Sequence, residues 1–242
     1  MIGLGTIINT AAIIVGGVCG KFFGRWLKER HQQTLMMTSG VSVMFIAIAG
    51  VMEKMLSIEN GALSSGQTLL VVLSLTIGAL IGEAINIENL FERFGEWLKR
   101  KTGSTGDRGF VNAFVTASLT VSIGAMAIVG SIQDGIFADP SILITKAILD
   151  FIIVMVMTCS MGKGCAFSAI PVLVLEGSIT LLAQLIRPVM TEAALNNLSL
   201  VGSILIFCVG MNLVFGKKIR VANLLPALLL TVAAAFLPIT LP

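Results

Sequence analysis

Long apolar runs separated by short polar stretches divide the chain into eight segments, about 3–20, 35–53, 67–86, 111–132, 141–161, 165–186, 199–216 and 222–240. Each is near the length of helix that crosses a hydrocarbon core, roughly 20 residues. The pattern predicts an all-α integral membrane protein of about eight transmembrane helices. One connecting stretch is patterned differently. In 87–101, Ile87, Leu90, Phe91, Phe94, Trp97 and Leu98 recur at helical spacing, while Glu88, Glu92, Arg93, Glu96 and Lys99 take the other face. That predicts an amphipathic helix lying in the cytoplasmic interface.

Charge supplies the topology. Basic residues cluster at Lys21, Arg25, Lys28 and Arg30, at Arg93, Lys99, Arg100, Lys101 and Arg108, at Lys163, and at Lys217, Lys218 and Arg220. The alternate connections carry Glu53, Lys54 and Glu59, then Asp134 and Asp139, then Arg187 and Glu192. Eight spans with both termini outside put every basic cluster in the cytoplasm, as the positive-inside rule requires. The first apolar run has no basic residue before it and several after it, the reverse of a cleavable signal, so it reads as a retained first span. FGRWLKER and FGEWLKRK each place Trp beside Lys and Arg where the chain leaves the basic side, which suits interfacial anchoring.

Composition agrees with this. Of 242 residues 56% are hydrophobic and 12% charged, with mean hydropathy +0.98, against about 25% charged in a soluble domain. A water-soluble globule is excluded, and no length remains for a separate soluble catalytic domain. The net charge of +3 gives no basis for nucleic-acid binding. Cys19, Cys159, Cys165 and Cys208 form no CxxC pair and His31 is the only histidine, so no metal, redox centre or cofactor is expected.

The chain reads as a single membrane domain, 1–242, with internal organisation. GLGTIINTAAIIVGG and GKGCAFSAIPVLVLEG align Gly3 with Gly162 and Gly5 with Gly164; Leu69–Thr76 resembles Leu224–Thr231, and Ile48–Gly50 resembles Cys208–Gly210. These matches pair a first three-span unit, 1–86, with a second, 162–242, around the interfacial helix 87–101 and two central spans, 111–161. An odd number of crossings separates equivalent spans, so the units would form an inverted repeat, the arrangement of many alternating-access transporters.

A few polar residues fall where the bilayer makes them expensive. Asn112, Thr116, Thr120 and Gly124 line one face of the fourth segment; they suit either close helix packing or a wetted path. Lys146 and Asp150 sit one turn apart in the fifth. Asp150 is near mid-span, whereas Lys146 is nearer the outer rim and could snorkel. Glu176, between Pro171 and Gly177, is near mid-depth in the sixth segment, and Pro with Gly suggests a bent or broken helix there. Asn9 has Ser168 as its repeat counterpart, and Asn212 adds an amide in the seventh segment. Glu83 and Asn86 fall at the cytoplasmic rim. The candidates for a substrate or ion site are therefore Asp150, Lys146, Asp134, Glu176, Asn9, Asn112, Thr116, Thr120 and Asn212.

The blocks GTIINTAAIIVGGVCGK, VTASLTVSIGAMAIVGSIQDG, TKAILD, AIPVLVLEGSITLLA and GMNLVFGKKIRVANLLPALLL resemble, in order, those of the YdfK/YqgA-type family of bacterial membrane proteins, a domain of unknown function. Asp134, Asp150, Asn9, Asn212 and Asn223 match the family's carboxylates and amides, whereas its pattern often has Gln at the position of Glu176 and Gly at that of Phe151. The resemblance implies a polytopic helical protein of the bacterial cytoplasmic membrane and implies no substrate. The expectation that best fits the intramembrane charge is a small-solute or ion transporter or channel, with the bilayer and the solute as partners and association into a homo-oligomer. A structural or partner-binding membrane protein is the alternative. An intramembrane enzyme is disfavoured, because no GxSxG, HExxH or paired-carboxylate signature is present.

Overall fold

The computed structural model describes residues 1–24, 26–59, 61–122 and 125–236. Eleven α-helices are described: α1 (Leu4–Gly24), α2 (Glu29–Met55), α3 (Thr68–Ile85), α4 (Ile87–Lys101), α5 (Phe110–Ser122), α6 (Ala125–Phe137), α7 (Ser141–Met161), α8 (Ala169–Leu181), α9 (Ala183–Ile186), α10 (Glu192–Phe215) and α11 (Pro226–Ala234). Short 3-10 turns at Lys163–Ser168 and Val221–Leu224 lead into α8 and α11. A hairpin of β1 (Leu56–Glu59) and β2 (Ala62–Ser65) joins α2 to α3.

The protein is an all-α integral membrane protein. Among the described residues six helical segments are long and apolar enough to cross a bilayer, and a seventh follows if α5 and α6, bent by 62° to each other, form one broken span. The eighth segment expected from the sequence, 222–240, is a 3-10 turn followed by the short helix α11, and residues 237–240 lie outside the described residues. The expected span 111–132 is thus described as two helices at an angle, with residues 123–124 between them outside the described residues. Gly124, counted on the polar face of that segment, and Arg25, counted in the first basic cluster, also lie outside the described residues.

Without a hydrophobic driving force between helices in lipid, association relies on close approach, and small residues permit it. Gly16, Gly20 and Gly24 of α1 recur every fourth residue and face α7. A Cβ at Gly16 would meet the Phe151 carbonyl at 2.5 Å, and one at Gly24 would meet the Cys159 backbone at 3.1 Å. The Cys159 thiol donates to the Gly20 carbonyl at 3.3 Å across the same seam. Gly40 of α2 meets Gly210 of α10 in the same manner, and Gly78 and Gly82 of α3 rest on Ala227 and Asn223. These three seams bring together α1 with α7, α2 with α10, and α3 with the Val221–Ala234 segment. Phe110, Phe114, Ile13, Val154, Met157, Val201 and Leu205 fill the core between them.

The seams also sort the two ends. Lys21, Gly24 and Thr158–Lys163 line one recess, and Met161 lines a second with Met36, Gly216 and Lys217, so Lys21, Lys163 and Lys217 share a basic end. α4 lies against this end. Its first residue follows Asn86, which takes a left-handed conformation (φ 57°) and accepts a hydrogen bond from the Asn89 N–H, a backbone region Asn enters at small cost. α4 spans the predicted 87–101, but its polar face is not simply solvated. Glu88 is buried: its carboxylate accepts from Ala222 N–H at 3.1 Å and pairs with Lys217 at 2.9 Å, and its own N–H donates to Asn223 Oδ1 at 2.7 Å. Lys217 also bonds Glu92 at 2.5 Å, and Arg220 bonds Glu83 at 3.0 Å. Burial of its stem opposes charge on Lys217, yet the Glu92 and Glu88 carboxylates hold its ammonium above the ordinary lysine value.

Candidate functional site

Four of the sequence candidates converge. α7 runs from Ser141 to Met161, so at 1.5 Å per residue Asp150 stands about 13 Å from one end and about 16 Å from the other. Lys146, one turn before it, pairs with Asp150 and donates to the Val121 carbonyl at 2.7 Å. That carbonyl lies in α5, one residue before the last described residue of that helix. Glu176 reaches in from α8, its Oε1 lying 3.7 Å from the ammonium and accepting from Asn9 Nδ2 of α1 at 2.8 Å. Asn9 also faces Asp150.

The group is closed to solvent: exposure is 6% for Lys146, 4% for Asp150, 1% for Glu176 and 0% for Asn9. Lys146 therefore does not snorkel, because α5 gives it a buried acceptor. The polar atoms are unequally satisfied. Among the described residues, Oε2 of Glu176 and Oδ1 of Asn9 have no hydrogen-bond partner within the protein. Formal charge is unequal as well, with two carboxylates against one ammonium.

The helix breaks differ from expectation in a way that matters here. α8 runs unbroken through Glu176 and Gly177, because Pro171 sits in its first turn, where a missing N–H costs nothing. The next break falls at Leu182, before α9. The break beside the cluster is instead that between α5 and α6.

The remaining candidates take other places. Asp134 of α6 is fully buried and accepts from Gly5 N–H at 2.9 Å. It thereby satisfies one of the unpaired N–H groups at the start of α1, where a carboxylate is favoured. Thr6 and Thr180 share a hydroxyl bond at 3.2 Å between that contact and the cluster. Asn112 and Thr116 line a cavity of about 170 Å³ at the basic end, with Met36, Glu88, Asn212 and Lys217 among its walls. Thr120 donates to the Thr116 carbonyl at 2.8 Å. Asn212 is committed to the turn after α10: it accepts from Lys218 and Ile219 N–H at 2.9 Å and donates to the Ile219 carbonyl at 2.7 Å. Ser168, the repeat counterpart of Asn9, is buried eight residues before Glu176, and its hydroxyl has no partner within the protein.

The sequence reading missed Glu88 as a buried group, together with Thr6, Thr180 and the Val121 carbonyl. Glu88 carried no signal, since helical spacing placed it with the solvated charges of α4. The Val121 carbonyl is a backbone group, which hydropathy does not reveal as an acceptor.

The described fold has clear relatives in sequence. The chain matches over residues 4–236 the family described as "Protein of unknown function (DUF554)". It is 30% identical over 232 residues to "Uncharacterized membrane protein YdfK" of Bacillus subtilis (strain 168), covering 96% of this chain and 95% of that one. It is 29% identical over 231 residues to "Uncharacterized protein YqgA" of Escherichia coli (strain K12), covering 94% of each. No solved structure matches it. With a family match along nearly its whole length and these full-length relatives, the chain belongs to the DUF554 family of proteins of unknown function.

Proposed function

We propose that the protein is a small-solute or ion transporter of the bacterial cytoplasmic membrane, with Lys146, Asp150, Glu176 and Asn9 as its central site. The observation that carries this reading is the charged cluster at mid-depth of α7, enclosed by α1, α7, α8 and the end of α5. Charge in the bilayer interior costs several kcal/mol unless paired or hydrated, and it commonly marks solute or ion paths. Backbone freed at a broken helix is tolerated there when buried in protein or lining a cavity, and half-helix ends are a recurrent means of holding ions and solutes. The cavity at the basic end lies on the same helix, α5, with Asn112 and Thr116 in its wall and Val121 at the cluster.

Two further features fit this reading. The first unit, 1–86, and the second, 162–242, meet through equivalent elements: α2 packs on α10 with Gly40 on Gly210, and α3 packs on the segment that holds α11. An inverted repeat with its two-fold axis between the units would give those contacts. The basic end, with Lys21, Lys163 and Lys217, is the cytoplasmic one by the positive-inside rule, which places both termini outside if the broken α5 and α6 count as one span and α11 completes the eighth.

The test is uptake of a panel of labelled small solutes and ions into liposomes carrying the purified protein. Uptake above that of empty liposomes, lost in Asp150→Asn, supports the reading; uptake unchanged in Asp150→Asn removes the cluster from it. The closed packing of the cluster favours a second reading, a structural membrane protein in which these charges only join helices. On that reading no solute is taken up, and the cluster stays dry.

A further inference from the structure

The cluster holds one more negative group than positive, and its hydrogen bonds are incomplete at one identifiable place. The Lys146 ammonium has three N–H donors. One is on the Val121 carbonyl and one on Asp150, while Glu176 at 3.7 Å is beyond hydrogen-bond reach. Lys146 and Asp150 therefore form the neutral pair, and Glu176 is the remainder. As an ionised group it would be 1% exposed, would carry an unmatched charge, and would hold a single amide hydrogen bond. Such a group is among the costliest in a protein.

The two unpartnered atoms belong to the two groups that this amide bond already joins. Asn9 Nδ2 donates to Glu176 Oε1, leaving Asn9 Oδ1 and Glu176 Oε2, both acceptors when Glu176 is ionised. Two acceptors cannot satisfy each other. A proton on Oε2 supplies the missing donor and removes the surplus charge in one step. A metal cation fits less well: the Lys146 ammonium stands beside the site, and among the described residues no three Asp, Glu, His or Cys side chains come together as ligands.

We propose that Glu176, held by Asn9, is an exchangeable proton site of this protein. A proton from water forms the Oε2–H bond and leaves the cluster neutral. Its release returns Glu176 to a carboxylate beside Lys146, which then has two carboxylates to serve. The charged groups facing Glu176 are Lys146 and Asp150 of α7. α1 presents Asn9, α5 presents the Val121 carbonyl, and α6, which also packs on α8, carries Asp134, whose Oδ2 accepts from Gly5 N–H while its Oδ1 has no partner within the protein. The proposal rests on the transport reading only for its use, since a proton that enters and leaves here would couple solute movement to the proton gradient.

The experiment is infrared spectroscopy of the full chain in lipid nanodiscs near neutral pH, read at the carbonyl stretch of a protonated carboxylic acid. A band component belonging to Glu176 is expected in the wild type, shifted on transfer to D2O and lost reversibly at alkaline pH, and told apart from any contribution of the buried Asp134 by the variants. Glu176→Gln removes the band while leaving the thermal transition in place, because the Gln amide oxygen still accepts from Asn9. Asp134→Asn keeps the band. Asp150→Asn also removes it, because Glu176 then becomes the only carboxylate on Lys146 and ionises. A wild type without the band, a band undiminished in Glu176→Gln, or a Glu176 component that neither exchanges in D2O nor titrates overturns the proposal. So does a missing band together with thermal stability that rises with sodium, which would assign the site to a monovalent cation. These readouts involve no transport, so a failed uptake assay beside a titrating Glu176 counts against the transport reading alone.

Discussion

Lys146→Met tests how the cluster is held together. The substitution keeps an unbranched side chain one atom shorter and removes its charge. It leaves Asp150 buried at 4% exposure without its ion pair, and it takes a charged donor from the Val121 carbonyl. Removing one member of a buried ion pair costs about 3–5 kcal/mol, mostly because the survivor is stranded. An exposed pair of the same spacing would cost about 0–1 kcal/mol. The larger figure corresponds to roughly two to four powers of ten in the unfolding equilibrium. The survivor explains the cost, so adding Asp150→Leu to Lys146→Met should recover most of it, leaving the double variant within about 1–2 kcal/mol of the wild type. The assay is equilibrium unfolding in mixed micelles, followed by circular dichroism, for both single variants and the double. A cost below about 1 kcal/mol for Lys146→Met, or the same cost with and without Asp150, would refute the ion-paired description.

Three other outcomes follow from the packing and charge. Gly82→Ala should destabilise by about 1–3 kcal/mol, because its Cβ would overlap the Asn223 carbonyl, whereas Gly66→Ala meets nothing within 4 Å and should be close to neutral; equal thermal transitions would contradict the α3 seam. The Ser141 hydroxyl and N–H, with the Gln133 amide, hold Asp139 below the ordinary carboxylate value. A lowered folded value gives stability that is present at neutral pH and lost as pH falls through the acidic range, so the gap between wild type and Asp139→Asn should close on acidification; a gap that widens toward low pH would reverse the sign. Lys217, raised by Glu92 and Glu88 against the opposing burial, stabilises below the ordinary lysine range and loses that contribution as pH climbs through its folded value. The Glu92 arm of the clamp is 42% exposed on both sides, so Glu92→Gln should cost at most about 1 kcal/mol and the difference should shrink in added salt; a salt-independent difference would contradict the exposed arm.

The membrane class and α4 were legible in sequence because hydropathy and helical period act along a single segment. Asp150 and Glu176 were legible for the same reason: a charge within an apolar run stands out without knowledge of its neighbours. What they touch was not legible. Asn9 comes to Glu176 through packing of α1 on α8, and Lys146 stays inside because the Val121 carbonyl of α5 accepts from it. Asp134 and Asn212 looked like members of the same site because polarity in a span carries no address; one satisfies the start of α1 and the other ties the turn after α10. The expected bend at Pro171 and Gly177 did not form, since a proline in the first turn of a helix leaves its hydrogen bonds intact.

For transport through this site the cluster, closed in this conformation, must open to water in another. The direct measurement replaces the native cysteines and introduces one cysteine at position 9 or, one turn away, at position 6, then follows modification by a small charged thiol reagent in nanodiscs, with a cysteine at exposed position 105 as the reactive standard. Slow but complete modification at 9 and 6 is the result the account predicts. Positions 9 and 6 that stay unreacted while 105 is fully modified would show an interior that never opens, and would contradict it.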